Sequence, residues 1–411
     1  MRWRFLAFLP RFPPSEEVVG GAQIRPDEIF RRCAERGHRV LIYETETSAG
    51  TRRVGELEVR PLPSQRRGVL GLGLRMAAMA RVLRAEAKRA RAAGERLCYY
   101  AMIPSGFVLK AGFLPAPTHP GGLLLPLARA LGAVTWAAVH DLSPEHEQQL
   151  LQRADANARG ERRVMERKAR LGTAQQRLLL PRAHFLSAVS PAMVDLLQRR
   201  CALDPRRLAV FWSGVAPKLV EEIPPWIPPA PGEPWRVGYL GSPHDVSYSL
   251  LARSLAALGR EDLVLRLGGV DASRHAARAR AAYARVEVVD GICYQDYASF
   301  AREIDLWALP FDDSYCLEIT WQLKVPLALA SGRPLARSDG PIVATSDLAR
   351  YMHLGGSTPK TFAPALQAVL DDPPAAASRA RAAREDVLRR YRWDVLIDQL
   401  LEGLERASKL V

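Results

Sequence analysis

An order of strand, turn and helix that occurs in both halves of the sequence constrains the fold of this 411-residue chain more than any other feature. In the first half, the apolar run WRFLAFLP leads through two glycines to a helical pattern from about Pro26 to Arg36, followed by the run RVLIYET. In the second half, WRVGYLGS precedes a helical pattern and the run DLVLRLGG. Because apolar runs that alternate with helices are typical of parallel sheets covered on both faces, we expect an α/β protein with two doubly wound, Rossmann-like domains.

A proline-rich segment at residues 216–235 separates the two halves. No helical or strand period continues through it, as is typical of an interdomain linker. A chain of this length also suits two domains of about 200 residues, each with its own core. We predict an N-terminal domain over 1–215, a linker over 216–235, a C-terminal domain over 236–388 and a terminal helical segment over 389–411.

The cysteines and the N-terminus restrict the cellular compartment. The five cysteines are scattered, odd in number and without a CxxC pair, which argues against a disulfide framework or a zinc site and favours a reducing cytosol. The apolar stretch near Met1 is too short for a signal peptide and is interrupted by Pro10, so we predict a first buried strand there. Since no run of about 20 apolar residues occurs, we expect no transmembrane helix.

Positive charge is concentrated in the first half of the chain. Residues 1–215 contain 35 Lys and Arg against 19 Asp and Glu, whereas residues 216–411 contain 23 against 25. Two basic helical stretches, 75–96 and 153–170, favour an anionic partner such as nucleic acid, an acidic membrane surface or a phosphate-bearing acceptor. Because no aromatic interleaving or nucleic-acid motif accompanies them, we expect no nucleic acid, and a membrane surface is the leading functional interpretation. Solvated helix faces are the structural alternative.

Several catalytic motifs are excluded by inspection. The segment GLGLRM at 71–76 lacks the last glycine of GxGxxG, and the sequence contains no Walker loop, no GxSxG and no HExxH. Hydride transfer and ATP hydrolysis therefore have no motif to support them.

Two candidate sites follow predicted strands of the first domain. Gly20 and Gly21 lie between the first strand and the first helix, where small residues allow backbone N–H groups to approach a phosphate or a sugar. His140 and Asp141 follow the strand AVTWAAV, at the edge where ligands bind in open α/β sheets. His140 can donate a hydrogen bond to a sugar hydroxyl, and Asp141 can orient it or accept a proton. Ordinary turns explain both pairs structurally.

Two further candidate sites lie in the second domain. Gly241, Ser242 and His244 follow its first strand, where backbone and hydroxyl donors can meet a diphosphate, although a plain turn fits equally well. Glu318, Thr320 and Lys324 precede an apolar helix that stops at SerGlyArgPro. An acid, a hydroxyl and a lysine near a helix start can bind sugar hydroxyls and phosphate charge. A solvated helix N-terminus accounts for Glu318 but not for all three residues.

The ordered series of these segments, from GG-A-Q through VHD, VGYLGS and LKVPLALASGRP, resembles bacterial glycosyltransferases of the GT-B fold, and family 4 and its relatives most of all. The resemblance implies two Rossmann-like lobes facing across a cleft, with the acceptor mainly in the first lobe and a nucleotide-sugar donor mainly in the second. It also implies a terminal helix that crosses back to the first lobe. The residues that match the family's donor and cleft positions are Gly20, Gly21, His140, Gly241 and Lys324.

The sequence departs from the family pattern at two places. Leu327 occupies the position of the second carboxylate of Glu-x7-Glu, which in such members contacts the nucleotide ribose. In addition, GYLGSPHDV lacks the usual Arg and Lys pair after the first strand of the second lobe. We therefore expect Lys324 to carry more of the phosphate interaction, with His244 as a helper.

Together, the residues and the resemblance predict a glycosyltransferase that moves a sugar from a nucleoside diphosphate sugar to a hydroxyl. His140, Asp141 and Glu318 are the predicted catalytic residues, and the family likeness alone implies retention of configuration. We expect no metal and no other cofactor, since Asp312 and Asp313 form no Asp-x-Asp pair. The acceptor is a glycan, a lipid-linked molecule or a small molecule, and the location is cytoplasmic, at or near the inner membrane face. A nucleotide-sugar epimerase and a non-catalytic binding protein are the alternatives.

Overall fold

The structure is a computed structural model that describes residues 2–12, 21–45, 50–62, 68–103, 107–110, 114–117, 120–141, 144–145, 148, 159–241, 248–270, 272–311 and 317–409. The chain divides into two compact units. The first comprises Met1–Phe12, Pro26–Phe211 and Ile397–Val411, and the second comprises Pro13–Arg25 and Trp212–Leu396. Each unit is therefore assembled from separate stretches of sequence.

The first unit contains a sheet of eight strands among the described residues, in the order β10-β9-β8-β5-β1-β2-β4-β3. Every pairing in it is parallel except β3 with β4. Strands β6 and β7 form a separate antiparallel pair. The strands are β1 Trp3–Leu9, β2 Arg39–Glu44, β3 Arg52–Val54, β4 Leu57–Pro61, β5 Arg96–Met102, β6 Phe107–Lys110, β7 Leu114–Pro117, β8 Val134–Val139, β9 Phe185–Ala188 and β10 Leu208–Val210.

The second unit contains a sheet of six strands in the part of the chain that the structure describes, in the order β13-β12-β11-β14-β15-β16. All of its pairings are parallel. Parallel strands buried on both faces need nearly continuous apolar sequence, and β11, β12 and β14 have it. The strands are β11 Trp235–Leu240, β12 Leu263–Gly269, β13 Val286–Asp290, β14 Leu306–Leu309, β15 Leu335–Ser338 and β16 Met352–Gly355.

Helices connect the strands of both sheets, as parallel pairing requires. Up to Phe211 they are Gly21–Glu35, Gly68–Ala92, Leu125–Ala130, Arg159–Leu179 and Pro191–Cys201. Beyond it they are Tyr248–Ala257, Ala272–Arg280, Tyr297–Arg302, Lys324–Ala330, Pro341–Ala344, Pro359–Asp371, Pro373–Arg390 and Trp393–Ser408.

The α/β class and the two doubly wound sheets are confirmed, but two helix boundaries are wrong. The first helix begins at Gly21, so that Pro26 lies inside it although proline usually marks a helix start. The basic stretch 75–96 is not helical throughout, because Gly94 has a φ of +64° and Arg96 begins β5. The side chain of Arg96 donates hydrogen bonds to the hydroxyl and the carbonyl oxygen of Ser408.

The proline-rich segment 216–235 packs as part of the second unit. Leu219, Val220, Ile223 and Trp226 are all buried, and Trp226 contacts Trp235 edge to face with ring centres 5.9 Å apart. None of the described helices is long and apolar enough to span a membrane.

Candidate functional site

The order of strands in the second sheet defines where a ligand would bind. Strand β12 lies on one side of β11 and β14 lies on the other, so the chain reverses direction across the sheet at β11. In open parallel sheets, ligands bind outside the carboxyl ends of the strands at such a switch point. Here those ends lead into Gly241, after β11, and Phe311, after β14.

Two strand ends approach each other closely at this edge. The Gly241 N–H donates a hydrogen bond of 3.0 Å to the carbonyl oxygen of Gly268. Gly269 has a φ of +151°, and a β-carbon on it would lie 2.7 Å from the carbonyl oxygen of Gly241. Only glycine fits both this backbone conformation and this approach. Gly241 itself has a φ of +133°, so the end of β11 is also formed by a residue without a side chain.

The ammonium group of Lys324 lies beside this glycine. A β-carbon placed on Gly241 would be 3.3 Å from Lys324 Nζ. Lys324 Nζ donates a hydrogen bond of 2.5 Å to Tyr239 Oη and lies 4.6 Å from the centre of the Tyr239 ring. Tyr239 is completely buried in β11 and is packed edge to face by Tyr248. The structure therefore fixes one positive charge at the carboxyl end of β11.

The helix that begins at Lys324 is held by packing. It has only seven residues, Lys324–Ala330, and no side-chain cap, so its stability depends on its surroundings. Tyr297 Oη donates a 2.6 Å hydrogen bond to the carbonyl oxygen of Leu327, and Val325 and Leu329 are buried. The Leu327 side chain is itself buried, which explains why this position holds an apolar residue and no carboxylate.

Two of the predicted site residues lie just before Lys324 in the sequence. Glu318 is exposed, whereas Thr320 is partly buried. The Thr320 hydroxyl oxygen is shielded from solvent and has no hydrogen-bond partner among the described residues. Gln322 Nε2 donates a 2.9 Å hydrogen bond to the Thr320 carbonyl oxygen, and Gln322 Oε1 accepts one of 3.3 Å from Arg337 Nη2. No sequence pattern marks Tyr239, Gln322 or Arg337 as residues of a site.

In the first unit, His140 follows β8 at the carboxyl edge of its sheet, as predicted from the sequence. Tyr100 Oη, from the neighbouring β5, lies 3.4 Å from His140 Nε2. The Tyr100 ring is held edge to face between Trp136 and Phe30, with ring centres 4.7 Å and 5.1 Å away. An aromatic cluster therefore fixes the tyrosine that orients the histidine, whereas Asp141 is exposed.

The remaining predicted residues are only partly placed. Gly21 is the first residue of the helix that follows β1. Gly20, Ser242 and His244 lie outside the described residues. No group of three or more His, Cys, Asp and Glu residues that could hold a metal ion occurs in the described part of the chain.

The two doubly wound sheets give the chain the GT-B fold of glycosyltransferases. Sucrose-phosphate synthase from Thermosynechococcus elongatus superimposes with a TM-score of 0.69 at 15% sequence identity, over 99% of this chain and 100% of that one. A glycosyltransferase from Rickettsia africae gives 0.67 at 11% identity over 100% of both chains. HepE from Anabaena, solved with UDP-glucose, gives 0.64 at 15% identity over 98% and 99%. No protein-family model and no curated protein sequence matches the chain.

Proposed function

We propose that this protein is a glycosyltransferase that transfers a sugar from a nucleoside diphosphate sugar to an acceptor hydroxyl. The observation that carries the proposal is the Lys324 ammonium group beside Gly241, at the switch point of the second sheet. A fixed cation next to a bare glycine backbone suits a diphosphate, because both the charge and the N–H groups can approach phosphate oxygens. Proteins of the same fold that have been solved with UDP or UDP-glucose support this choice of ligand.

The chemistry of the transfer explains why a cation is needed there. The bond between the anomeric carbon and the phosphate oxygen breaks, and the leaving diphosphate keeps the electron pair. The acceptor oxygen forms the new bond to the anomeric carbon and passes its proton to an oxygen of the leaving diphosphate. Because negative charge grows on the diphosphate as the bond breaks, a preorganised positive charge stabilises the transition state more than the ground state. We assign this role to Lys324.

Other residues are assigned to the sugar. The Thr320 hydroxyl is shielded from solvent and has no described hydrogen-bond partner, so it can form a hydrogen bond with a hydroxyl of the transferred sugar. We assign Glu318 to the same sugar. In the first unit, we assign His140 to a sugar or acceptor hydroxyl, with Asp141 as its support. Retention of configuration follows from the family 4 likeness, and proton NMR of the product anomer would test it.

A calorimetric titration with UDP-, GDP-, ADP- and dTDP-sugars tests the function directly. We expect one nucleotide class to bind and Lys324→Ala to abolish that binding. Lys360→Ala is the matched control, because Lys360 is an exposed lysine of the same unit and should bind as the wild type does. Unchanged affinity in Lys324→Ala would remove the proposed role of this lysine. Absence of binding in the wild type would refute the proposed function itself.

Turnover separates this proposal from the alternatives. A transferase forms a glycoside only when an acceptor is present, whereas an epimerase converts the nucleotide sugar without one. A binding protein does neither. Because the first half of the chain is basic, the acceptor panel should include anionic glycans and lipid-linked phosphates beside neutral sugars. Donor epimerisation without an acceptor would overturn the assignment as a transferase.

A further inference from the structure

An arginine is completely buried near the candidate site. Arg337 is the third residue of β15, and its exposed fraction is 0%. Burying a charged group is costly unless its surroundings compensate for the lost water. A strand with an apolar residue at this position would avoid that cost, so the charge of Arg337 calls for an explanation.

Both ends of the segment that carries the candidate residues pack on this guanidinium. Its Cζ lies 5.2 Å from the centre of the Phe311 ring and 5.7 Å from that of Trp321. Its Nη2 donates to Gln322 Oε1, and its Nη1 donates a 3.0 Å hydrogen bond to the Ser338 carbonyl oxygen. One arginine therefore contacts the residues that flank Glu318 and Thr320 on either side.

Arg337 and Lys324 also share a neighbour. Lys324 Nζ lies 6.0 Å from the centre of the same Phe311 ring that Arg337 contacts. The two positive charges are therefore separated by no more than these two ring distances together. At a separation of about 10 Å and an effective dielectric constant of about 20, the interaction between two unit charges changes a binding constant about tenfold.

We propose that Arg337 is a positioning residue that supplies the second positive charge of the phosphate site from beneath the surface. It holds the segment that leads to Lys324 and adds its field to that of the lysine. This inference rests on the proposed nucleotide-sugar function. It gives a physical source for charge that the sequence after β11 lacks, since GYLGSPHDV contains neither Arg nor Lys.

The test compares the affinity of Arg337 variants for UDP with their affinity for uridine, which has no phosphate. If the wild type prefers another base, the nucleoside diphosphate and the nucleoside of that base are used. Arg337→Met keeps the length and the packing but removes the charge, whereas Arg337→Lys keeps the charge. We expect Arg337→Met to bind the diphosphate about tenfold more weakly with unchanged affinity for the nucleoside. We expect Arg337→Lys to keep the diphosphate affinity within about threefold, because it restores the charge. In turnover assays, KM for the donor should rise more in Arg337→Met than in Arg337→Lys.

Arg333→Met is the matched control for burial. Arg333 is also a buried arginine of this unit, but its guanidinium donates to the carbonyl oxygens of Ile304, Pro224 and Ser331. Arg333→Met should therefore lower the melting temperature of the protein without changing its preference for the diphosphate over the nucleoside. The proposal is overturned if Arg337→Met keeps that preference, or if Arg337→Lys loses as much of it as Arg337→Met. A wild-type protein that binds no nucleotide would instead refute the proposed function.

Discussion

Gly269→Ala tests whether the ends of β11 and β12 meet as closely as the structure shows. A side chain at this φ of +151° is strained, and its β-carbon would lie 2.7 Å from the Gly241 oxygen and 3.3 Å from the Gly241 carbonyl carbon. The neighbours are backbone atoms, so no flexible side chain can move aside. The unfavourable backbone conformation costs about 1–2 kcal/mol and the overpacking about 1–3 kcal/mol. We therefore expect Gly269→Ala to lower the free energy of unfolding by about 2–5 kcal/mol.

Gly259→Ala is the control for the backbone term alone. Gly259 has a φ of +64°, and a β-carbon there would meet nothing within 4 Å. It should therefore cost only about 1–2 kcal/mol. Urea unfolding followed by circular dichroism compares the two variants in the same transition, because both residues belong to the second unit. If both variants lose the same free energy of unfolding, the close approach of Gly269 to Gly241 does not exist.

The same substitution should also affect the ligand. The atoms displaced by Gly269→Ala belong to Gly241, which lies next to Lys324 Nζ. We therefore expect the affinity for the nucleotide to fall in Gly269→Ala and to remain unchanged in Gly259→Ala, as measured by calorimetry. If Gly269→Ala lowers the free energy of unfolding by less than this and binds nucleotide as the wild type does, the described approach of Gly269 to Gly241 is wrong.

Three further predictions follow from single contacts. Tyr239→Phe removes the hydroxyl that accepts from Lys324 Nζ but keeps the ring, so the affinity for diphosphate should fall at least about tenfold in calorimetry, since hydrogen bonds to charged groups contribute about 1.5–3 kcal/mol; wild-type affinity would show that the hydroxyl is dispensable. Glu86→Gln removes one of the two carboxylate partners of the buried Arg4, which keeps its ion pair with Glu95, and should lower the free energy of unfolding by about 1–3 kcal/mol in urea unfolding; an unchanged free energy of unfolding would contradict a buried ion pair. Burial lowers the pKa of His184 to about 4, so the unfolded chain binds its proton first as the pH falls below about 6.5; stability should decrease between pH 6.5 and 4, and His184→Asn should reduce that decrease in urea titrations at pH 7 and 5.

The long apolar strands could be predicted because their burial leaves a continuous pattern. The runs that became β1, β11 and β12 are apolar almost throughout, and the glycines after them mark the turns. The short strands β15 and β16 were not predicted. They have four residues each, and β15 contains a buried Arg337 that reads as a surface residue in sequence.

The site could be predicted only where it coincides with a linear pattern. Lys324 and Gly241 were predicted from their places in the segments that carry the GT-B resemblance. Tyr239 was not, because its position in an apolar strand indicates core and its role depends on a lysine 85 residues away. The start of the first helix was missed for a related reason, since Pro26 is a local signal that the surrounding helix overrides.

The discontinuity of the first unit has a consequence for how the protein is made. Phe185 of β9 packs against Gly403, and Arg96 of β5 donates to Ser408, yet these last residues are synthesised after the whole second unit. A nascent chain that has reached only Phe211 carries the ten described strands of this unit but leaves these surfaces uncovered. We infer that the first unit completes its packing only after residues 397–411 have been synthesised. A fragment ending there should be prone to aggregate, and adding residues 397–411 as a peptide should rescue it.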